Sequence, residues 1–205
     1  MKLCRLSSAL VCTAAIMLFT GQAVAEGEAP PTDAELLQAV DQAAKTTSHH
    51  KTFKSVRGRY EQTIKWWRAP GAPADESVSL ADAEWILGQR FMKLEFEGKW
   101  LGKSFQAVLL LGYDNTMQQY TAVWMDTLGT RTLMANGAVE EGGSAIAYNG
   151  EYVDPTSGGT VKFRGTLQMP DKKGGTKIEM YRTAPDGTEY KFLDADSKRK
   201  VMRGA

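Results

Sequence analysis

The residues of this chain that could take part in chemistry concentrate in one stretch, residues 105–130 (FQAVLLLGYDNTMQQYTAVWMDTLGT). Two apolar segments flank a short polar loop there, and the stretch contains Tyr113, Tyr120, Trp124 and Asp126. A carboxylate set among aromatic and aliphatic side chains can act as a general acid or base, or as a polar contact for a bound molecule. The aromatic side chains can line an apolar pocket.

A four-residue hairpin loop at residues 115–118 would determine how the two halves of this stretch pair. The expected cross-strand pairs are Tyr113 with Tyr120, Leu111 with Ala122, Leu109 with Trp124, Ala107 with Asp126, and Phe105 with Leu128. The register should be firm, because a slip by one residue would move this apolar set to the other face. The opposite face is apolar as well, so we expect an N-terminal helix to cover it, with a homodimer contact as the alternative.

Asp126 is the single carboxylate on the first of these faces. An unpaired charge in such a position is costly, so it should have a partner or face a wet cavity. The candidate partners are Arg90, Arg131 and Arg164. Asp126 is therefore either half of a structural ion pair that closes a barrel end or a functional carboxylate. Asp114, where the first strand meets the loop, is expected to cap the turn.

Other catalytic and cofactor-binding patterns are missing from the sequence. Cys4 and Cys12 both fall within residues 1–25, which we expect to be removed, so the mature chain would have no thiol and no disulfide. The only histidines, His49 and His50, are adjacent. That spacing suits neither a metal site nor a catalytic triad, and we expect the pair in an exposed linker. We therefore predict no catalytic residue, no metal and no cofactor.

The periodicity of apolar residues predicts a mainly β fold. Thr32 and Glu35 have the spacing of a capping box, and apolar residues at helical spacing follow, which predicts an amphipathic helix from Thr32 to about Lys45. From residue 56 onward the period is two, with turn signals about every 8–14 residues, and we expect about ten strands. Asn136-Gly137 and Asn149-Gly150 are among those turn signals.

All connections between the strands have hairpin length, which predicts an antiparallel meander. Closing the meander into a barrel would remove its exposed edges, so we favour a closed barrel over a sandwich. The predicted fold class is thus an antiparallel meander β-barrel of about ten strands with one N-terminal amphipathic α-helix.

The termini predict the compartment and the domain limits. Residues 1–25 have a positive start, an apolar run and an Ala-Val-Ala cleavage pattern, as in a secretory signal peptide. We expect a lead-in and helix over residues 26–48, one barrel domain over 49–195 and a basic, solvated tail over 196–205. The protein should then be exported, to the periplasm or beyond, with no transmembrane segment in the mature chain.

The balance of positive and negative residues indicates which kinds of partner the protein could bind. The chain has 25 lysines and arginines against 24 aspartates and glutamates, interspersed along the sequence. This near-neutral balance argues against nucleic acid as a partner. We expect a monomer or a weak homodimer.

Several short blocks resemble successive motifs of one bacterial family, domain of unknown function 1579. The blocks are residues 87–91 (LGQRF), 98–105 (GKWLGKSF), 111–115 (LGYDN), 124–130 (WMDTLGT), 179–181 (EMY) and 187–191 (GTEYK). The resemblance covers about residues 49–191 and implies a lipocalin-like barrel without an established activity. The chain departs from the family in having Gly88-Gln89-Arg90 for the usual Gly-Gly-Arg, and in a closing strand after Phe192 that alternates poorly.

These observations lead to a hypothesis of ligand binding. We expect a small, largely apolar ligand in the barrel cavity, and the candidate contacts are Arg90, Tyr113, Tyr120, Trp124 and Asp126. One alternative is an enzyme of hydrolase or isomerase type that uses Asp126. Another is a structural or envelope-interaction module whose barrel is filled.

Overall fold

The computed structural model describes residues 30–200, so the predicted signal peptide and residues 201–205 lie outside the described part. The helices are α1 (Asp33–Ala43), α2 (Ser48–Lys51) and a 3-10 helix (Thr52–Val56). The strands are β1 (Gly58–Trp66), β2 (Asp75–Ile86), β3 (Phe91–Trp100), β4 (Lys103–Asp114), β5 (Gln119–Asp126), β6 (Thr132–Val139), β7 (Ala145–Val153), β8 (Thr160–Gln168), β9 (Gly175–Thr183) and β10 (Glu189–Arg199).

The ten strands form one closed antiparallel barrel in which each strand pairs with its neighbours in sequence. β1 and β10 complete the circle, from the pair Tyr60 and Arg199 to the pair Trp66 and Leu193. The predicted mainly β meander barrel with an N-terminal helix is therefore confirmed. β10 continues to Arg199, past residue 196 where the sequence predicts a solvated tail, and the Arg199 guanidinium donates to the Tyr60 hydroxyl at 2.8 Å.

The predicted register of the central hairpin is confirmed over its regular length. Residues 115–118 form the loop, and Tyr113 pairs with Tyr120 at one end of the ladder while Ala107 pairs with Asp126 at the other. β5 ends at Asp126, so the predicted pair of Phe105 with Leu128 is not part of the ladder. The face that carries Leu111 and Tyr120 points into the buried core, as the alternation predicts.

One end of the barrel is closed by the segment that contains α2 and the 3-10 helix. Phe53 and Val56 of that segment are almost completely buried, and His49 stacks on Tyr113 at the end of β4, with ring centroids 4.2 Å apart. We call residues 48–56 the plug. The prediction that the histidine pair lies in an exposed linker is wrong for His50, which is buried because the plug inserts into the barrel end. His49 is exposed, but it lies in α2 and not in a linker.

Helix α1 begins with the predicted capping box between Thr32 and Glu35. Its apolar residues Leu36, Leu37 and Val40 are exposed, and no residue of the helix is buried. The prediction that α1 covers the outer face of the central hairpin is therefore wrong. No helix within residues 30–200 is long and apolar enough to cross a membrane.

A polar contact holds the C-terminal end of α1 in place. The Asn115 side-chain amide, in the β4–β5 loop, donates to the carbonyl oxygens of Ala43 and Lys45, both at 2.8 Å. The helix is thus held by its C-terminus at the closed end of the barrel. That tether involves no packing of the apolar stripe, which explains why the stripe stays exposed.

Two predicted turns are not turns. Asn136-Gly137 lies inside β6 and Asn149-Gly150 lies inside β7. The glycines are there because side chains would not fit: a Cβ on Gly137 would lie 2.8 Å from Cδ1 of Tyr148, and one on Gly150 would lie 2.6 Å from Cζ of Phe163. A glycine within a strand thus marks a close approach rather than a reversal of the chain.

Candidate functional site

A cavity of about 230 Å³ lies inside the barrel, toward the end opposite the plug. Its lining is mostly aliphatic and aromatic, and includes Ile64, Phe96, Leu109, Ala122, Phe163 and Met180. Trp66, Trp100 and Arg131 lie at its mouth, where strands β1, β3 and β6 end or begin. The barrel is therefore hollow at one end and packed at the other.

The cavity ends where buried side chains fill the barrel interior. Met92, Leu111 and Ile146 are fully buried between the cavity and the plug. Beyond them, the Tyr113 and Tyr120 rings meet edge to face with centroids 5.0 Å apart. The Tyr120 hydroxyl lies 3.3 Å from Nδ1 of His49 in the plug.

The five predicted site residues are divided between the two ends. Trp124 and Asp126 line the cavity. Tyr113 and Tyr120 instead contact the plug at the packed end. Arg90 is exposed in the β2–β3 turn at that same end, where its Nη1 donates to the Leu87 carbonyl oxygen at 3.2 Å. The tyrosines lie on the predicted inward face, but alternation does not show how far along the barrel axis the hollow part extends.

Asp126 has partners other than the predicted arginines. Its Oδ2 accepts a hydrogen bond from the Trp124 indole N–H at 2.7 Å, and its Oδ1 accepts one from the Leu128 backbone N–H at 2.8 Å. Within residues 30–200, no arginine lies within 4.0 Å of this carboxylate, so the hypothesis of an Arg–Asp126 ion pair is wrong. Arg164 instead pairs with Glu189 on the barrel exterior. Asp126 thus holds the indole ring against the cavity wall.

Asp114 has the turn-capping role that the sequence predicts. Its Oδ1 accepts hydrogen bonds from the backbone N–H groups of Thr116 and Met117, at 2.7 Å and 2.9 Å. These are two donors that the tight loop would otherwise leave without partners. The carboxylate is therefore committed to the hairpin loop, away from the cavity.

Two buried polar atoms of cavity-lining residues make no hydrogen bond to any residue of the described range: the Tyr148 hydroxyl and the Trp66 indole N–H. Tyr148 is only 7% exposed, and its burial, together with the nearby Tyr120, raises the pKa of its hydroxyl far above the ordinary value. The group therefore stays protonated and can both donate and accept. A buried polar group without a partner costs about 1–3 kcal/mol, so a bound molecule that satisfied it would gain affinity.

Two arginines, Arg131 and Arg182, lie at the mouth of the cavity and contact the same tyrosine. The Arg131 guanidinium lies over the Tyr152 ring, 4.9 Å from its centroid. Nη1 of Arg182 donates to the Tyr152 hydroxyl at 2.9 Å, and its Nε donates to the Tyr190 hydroxyl at 2.6 Å. Sequence reasoning missed Tyr148, Tyr152 and Arg182. Alternation along β7, which places Tyr148 and Tyr152 on one face, was the signal available for the two tyrosines.

His50 is the buried titratable group of the plug. Its Nδ1 accepts a hydrogen bond from the Thr47 backbone N–H at 3.0 Å, so that nitrogen is unprotonated. Burial lowers the pKa of His50, and the charges of His49 and Arg90 lower it further, while a hydrogen bond to the Tyr113 backbone opposes them. The plug is thus built around a neutral imidazole.

We expect the free energy of unfolding to decrease as the pH falls below about 6.5, the ordinary pKa of histidine. Because the pKa of His50 is lower in the folded chain, the unfolded chain binds a proton in this range that the folded chain does not. Stability is then complete above that pH and is lost below it. Urea denaturation between about pH 8 and pH 5 measures the slope. The His50→Gln variant should flatten it, and His49→Gln should flatten it less, because it removes only one of the contributions that lower the pKa of His50. Equal slopes in all three proteins would contradict the prediction.

Comparison with known proteins gives a family and a similar fold. A family model described as "Protein of unknown function (DUF1579)" matches residues 45–199. A solved structure titled "Crystal Structure of Rv2717c from M. tuberculosis" is similar with a TM-score of 0.51 and 12% sequence identity, over 77% of this chain and 100% of that chain. At this identity the similarity concerns the fold alone. The search of curated proteins found no match.

Proposed function

This chain belongs to the DUF1579 family, which is described as proteins of unknown function, and we propose that it is a lipocalin-like barrel that binds one small, largely apolar molecule. The observation that carries the proposal is the cavity of about 230 Å³, with its apolar lining and the unpartnered hydroxyl of buried Tyr148. A pocket of this kind, apolar with a few convergent polar groups, is the usual form of a ligand site.

The size of the cavity limits the ligand. Pockets for drug-sized molecules hold roughly 300–1,000 Å³, so a cavity of about 230 Å³ suits a smaller one. Removal of its apolar surface from water would supply most of the affinity, at about 25 cal/mol per Å². The Tyr148 hydroxyl would then determine orientation rather than strength.

The two other hypotheses have less support. A barrel that serves only as a structural module would be packed along its whole length, whereas this one is hollow at one end. An enzyme that used Asp126 as a base has less support, because hydrogen bonds from the Trp124 indole and the Leu128 backbone give this carboxylate a structural role. We therefore place binding ahead of catalysis.

Export is the second part of the proposal. It rests on the charged start, apolar run and Ala-Val-Ala pattern of residues 1–25. A binding protein with this leader would meet its ligand in the periplasm or outside the cell. Immunoblotting of periplasmic and cytoplasmic fractions tests this part separately, and a full-length, unprocessed chain in the cytoplasm would contradict it.

We expect the Ala122→Phe variant to fold and to lose binding of octanol. Ala122 is a half-buried residue of the cavity wall, and a phenyl ring there would fill space that the ligand needs. Isothermal titration calorimetry with octanol measures the loss. The matched control is Ala138→Phe, the same exchange at an exposed position of β6. Octanol binding that survives in Ala122→Phe, or that is lost equally in both variants, would contradict a site inside the barrel.

A further inference from the structure

Two polar side chains of the cavity wall, Gln62 and Asp126, already have hydrogen-bond partners within the chain. The Gln62 side-chain oxygen accepts from the Ser79 hydroxyl at 3.2 Å, and its nitrogen donates to the Ser197 hydroxyl at 2.7 Å. Asp126 uses both oxygens to accept from N–H groups. Neither side chain needs a ligand to satisfy it.

Two of the remaining polar side chains, Trp66 and Arg131, can only donate. The Trp66 indole N–H can only donate, and it is buried without a partner in the described chain. The Arg131 guanidinium, also on the cavity wall, has five N–H donors and no acceptor. Within residues 30–200, no carboxylate lies within ion-pair distance of Arg131. A ligand group that contacts Arg131 must therefore be an acceptor.

Electrostatics at the mouth favour a negative charge on that ligand. Arg131 and Arg182 both contact Tyr152, one through the ring face and one through the hydroxyl. The hydrogen-bond partners of Arg182 are neutral oxygens, and its nearest carboxylate, Asp154, is 4.0 Å away. Two guanidinium groups thus share one tyrosine, with only weak neutralisation by neighbouring carboxylates.

We infer that the ligand is a small amphipathic carboxylic acid, whose carboxylate binds Arg131 at the mouth and whose apolar chain extends into the cavity toward Tyr148. This inference rests on the proposed function and adds the chemical class of the ligand. A carboxylate is the anion that a guanidinium binds with two parallel hydrogen bonds. The apolar chain removes the apolar wall from water, and the carboxylate supplies acceptors for the Arg131 guanidinium.

The test compares three probes of equal chain length by isothermal titration calorimetry: octanoate, octanol and octylamine. Octanoate should bind tightest, and octylamine should bind at least tenfold more weakly than octanoate. Because a charge-assisted hydrogen bond is involved, Arg131→Gln should weaken octanoate binding by roughly tenfold to a hundredfold. The same variant should weaken octanol binding much less than octanoate binding.

Two further variants make the test specific. Arg131→Glu reverses the charge and should make octylamine a better ligand than octanoate. Arg59→Gln is the matched control, because Arg59 is exposed and pairs with Asp82 at 2.8 Å on the barrel exterior. It removes the same charge from the protein and should not change octanoate binding.

The outcomes distinguish a failure of the proposed acid from a failure of the proposed binding function. If octanol binds the native protein as tightly as octanoate, or if Arg131→Gln weakens neither, the proposed acid is refuted while the apolar site stands. If none of the three probes binds the native protein, the proposed binding function itself fails. A loss of octanoate binding in Arg131→Gln that is at least tenfold larger than the loss of octanol binding, and that is absent in Arg59→Gln, supports the inference.

Discussion

Replacing Phe53 with alanine is expected to lower the free energy of unfolding by about 3–5 kcal/mol. Phe53 is completely buried in the plug and meets the Tyr120 ring edge to face, with centroids 5.7 Å apart. The exchange removes the largest apolar contact between the plug and the barrel and leaves a cavity, and both effects destabilise the fold. Urea denaturation at neutral pH measures the difference.

The control for this prediction is Leu37→Ala in helix α1. Leu37 is 65% exposed, so its truncation should change the free energy of unfolding by no more than about 0.5 kcal/mol. Equal, small losses in the two variants would mean that the plug does not stabilise the barrel. In that case the closed end would not be part of the folded core.

Gly137→Val is expected to destabilise the protein by about 3 kcal/mol. A Cβ at this position would lie 2.3 Å from the Ala147 carbonyl oxygen, a backbone atom that cannot move without breaking the sheet. Gly137 also belongs to a row of inward-facing residues that runs across four neighbouring strands. It pairs with Tyr120 on β5 and with Tyr148 on β7, and Tyr148 pairs with Gly165 on β8. The glycines of this row leave room for the two tyrosine rings.

The same variant should also weaken octanol binding, because displacement of the Tyr148 ring would alter the wall of the cavity. Thermal unfolding and calorimetry give the two measurements. Gly159→Val is the control, since a Cβ there would meet only the Ser157 hydroxyl, at 3.5 Å. A Gly137→Val protein as stable as this control would refute the tight approach of β6 to β7.

Local features of the fold were predictable because they depend on neighbours in sequence. The capping box of Thr32 and Glu35, the Asp114 turn and the pairing of Tyr113 with Tyr120 are all short-range. The barrel itself was predictable because alternation and hairpin-length connections leave a meander few other ways to pair its edges. Strand order therefore followed from the sequence, and so did the inward face of the central hairpin.

Contacts between distant segments, and the directions in which side chains turn, were not predictable. The histidine pair lacked any neighbouring signal of burial, yet His49 stacks on Tyr113 because the plug enters the end of the barrel. The partner predicted for Asp126 was an arginine, and the actual donors are Trp124, two residues before it, and the Leu128 backbone. Alternation places Trp124 on the same face, but it does not tell whether the indole turns toward the carboxylate.

The sequence by itself determined the barrel, its strand order and the faces of its strands, since these follow from periodicity and from the geometry of hairpins. Only the tertiary structure decided which end is hollow, because that depends on how far the plug and the side chains around Leu111 fill the interior. It also decided which polar groups meet at the mouth. Arg131, just before β6, and Arg182, on β9, are far apart in sequence and both contact Tyr152 of β7 because β6 to β9 are successive neighbours in the sheet.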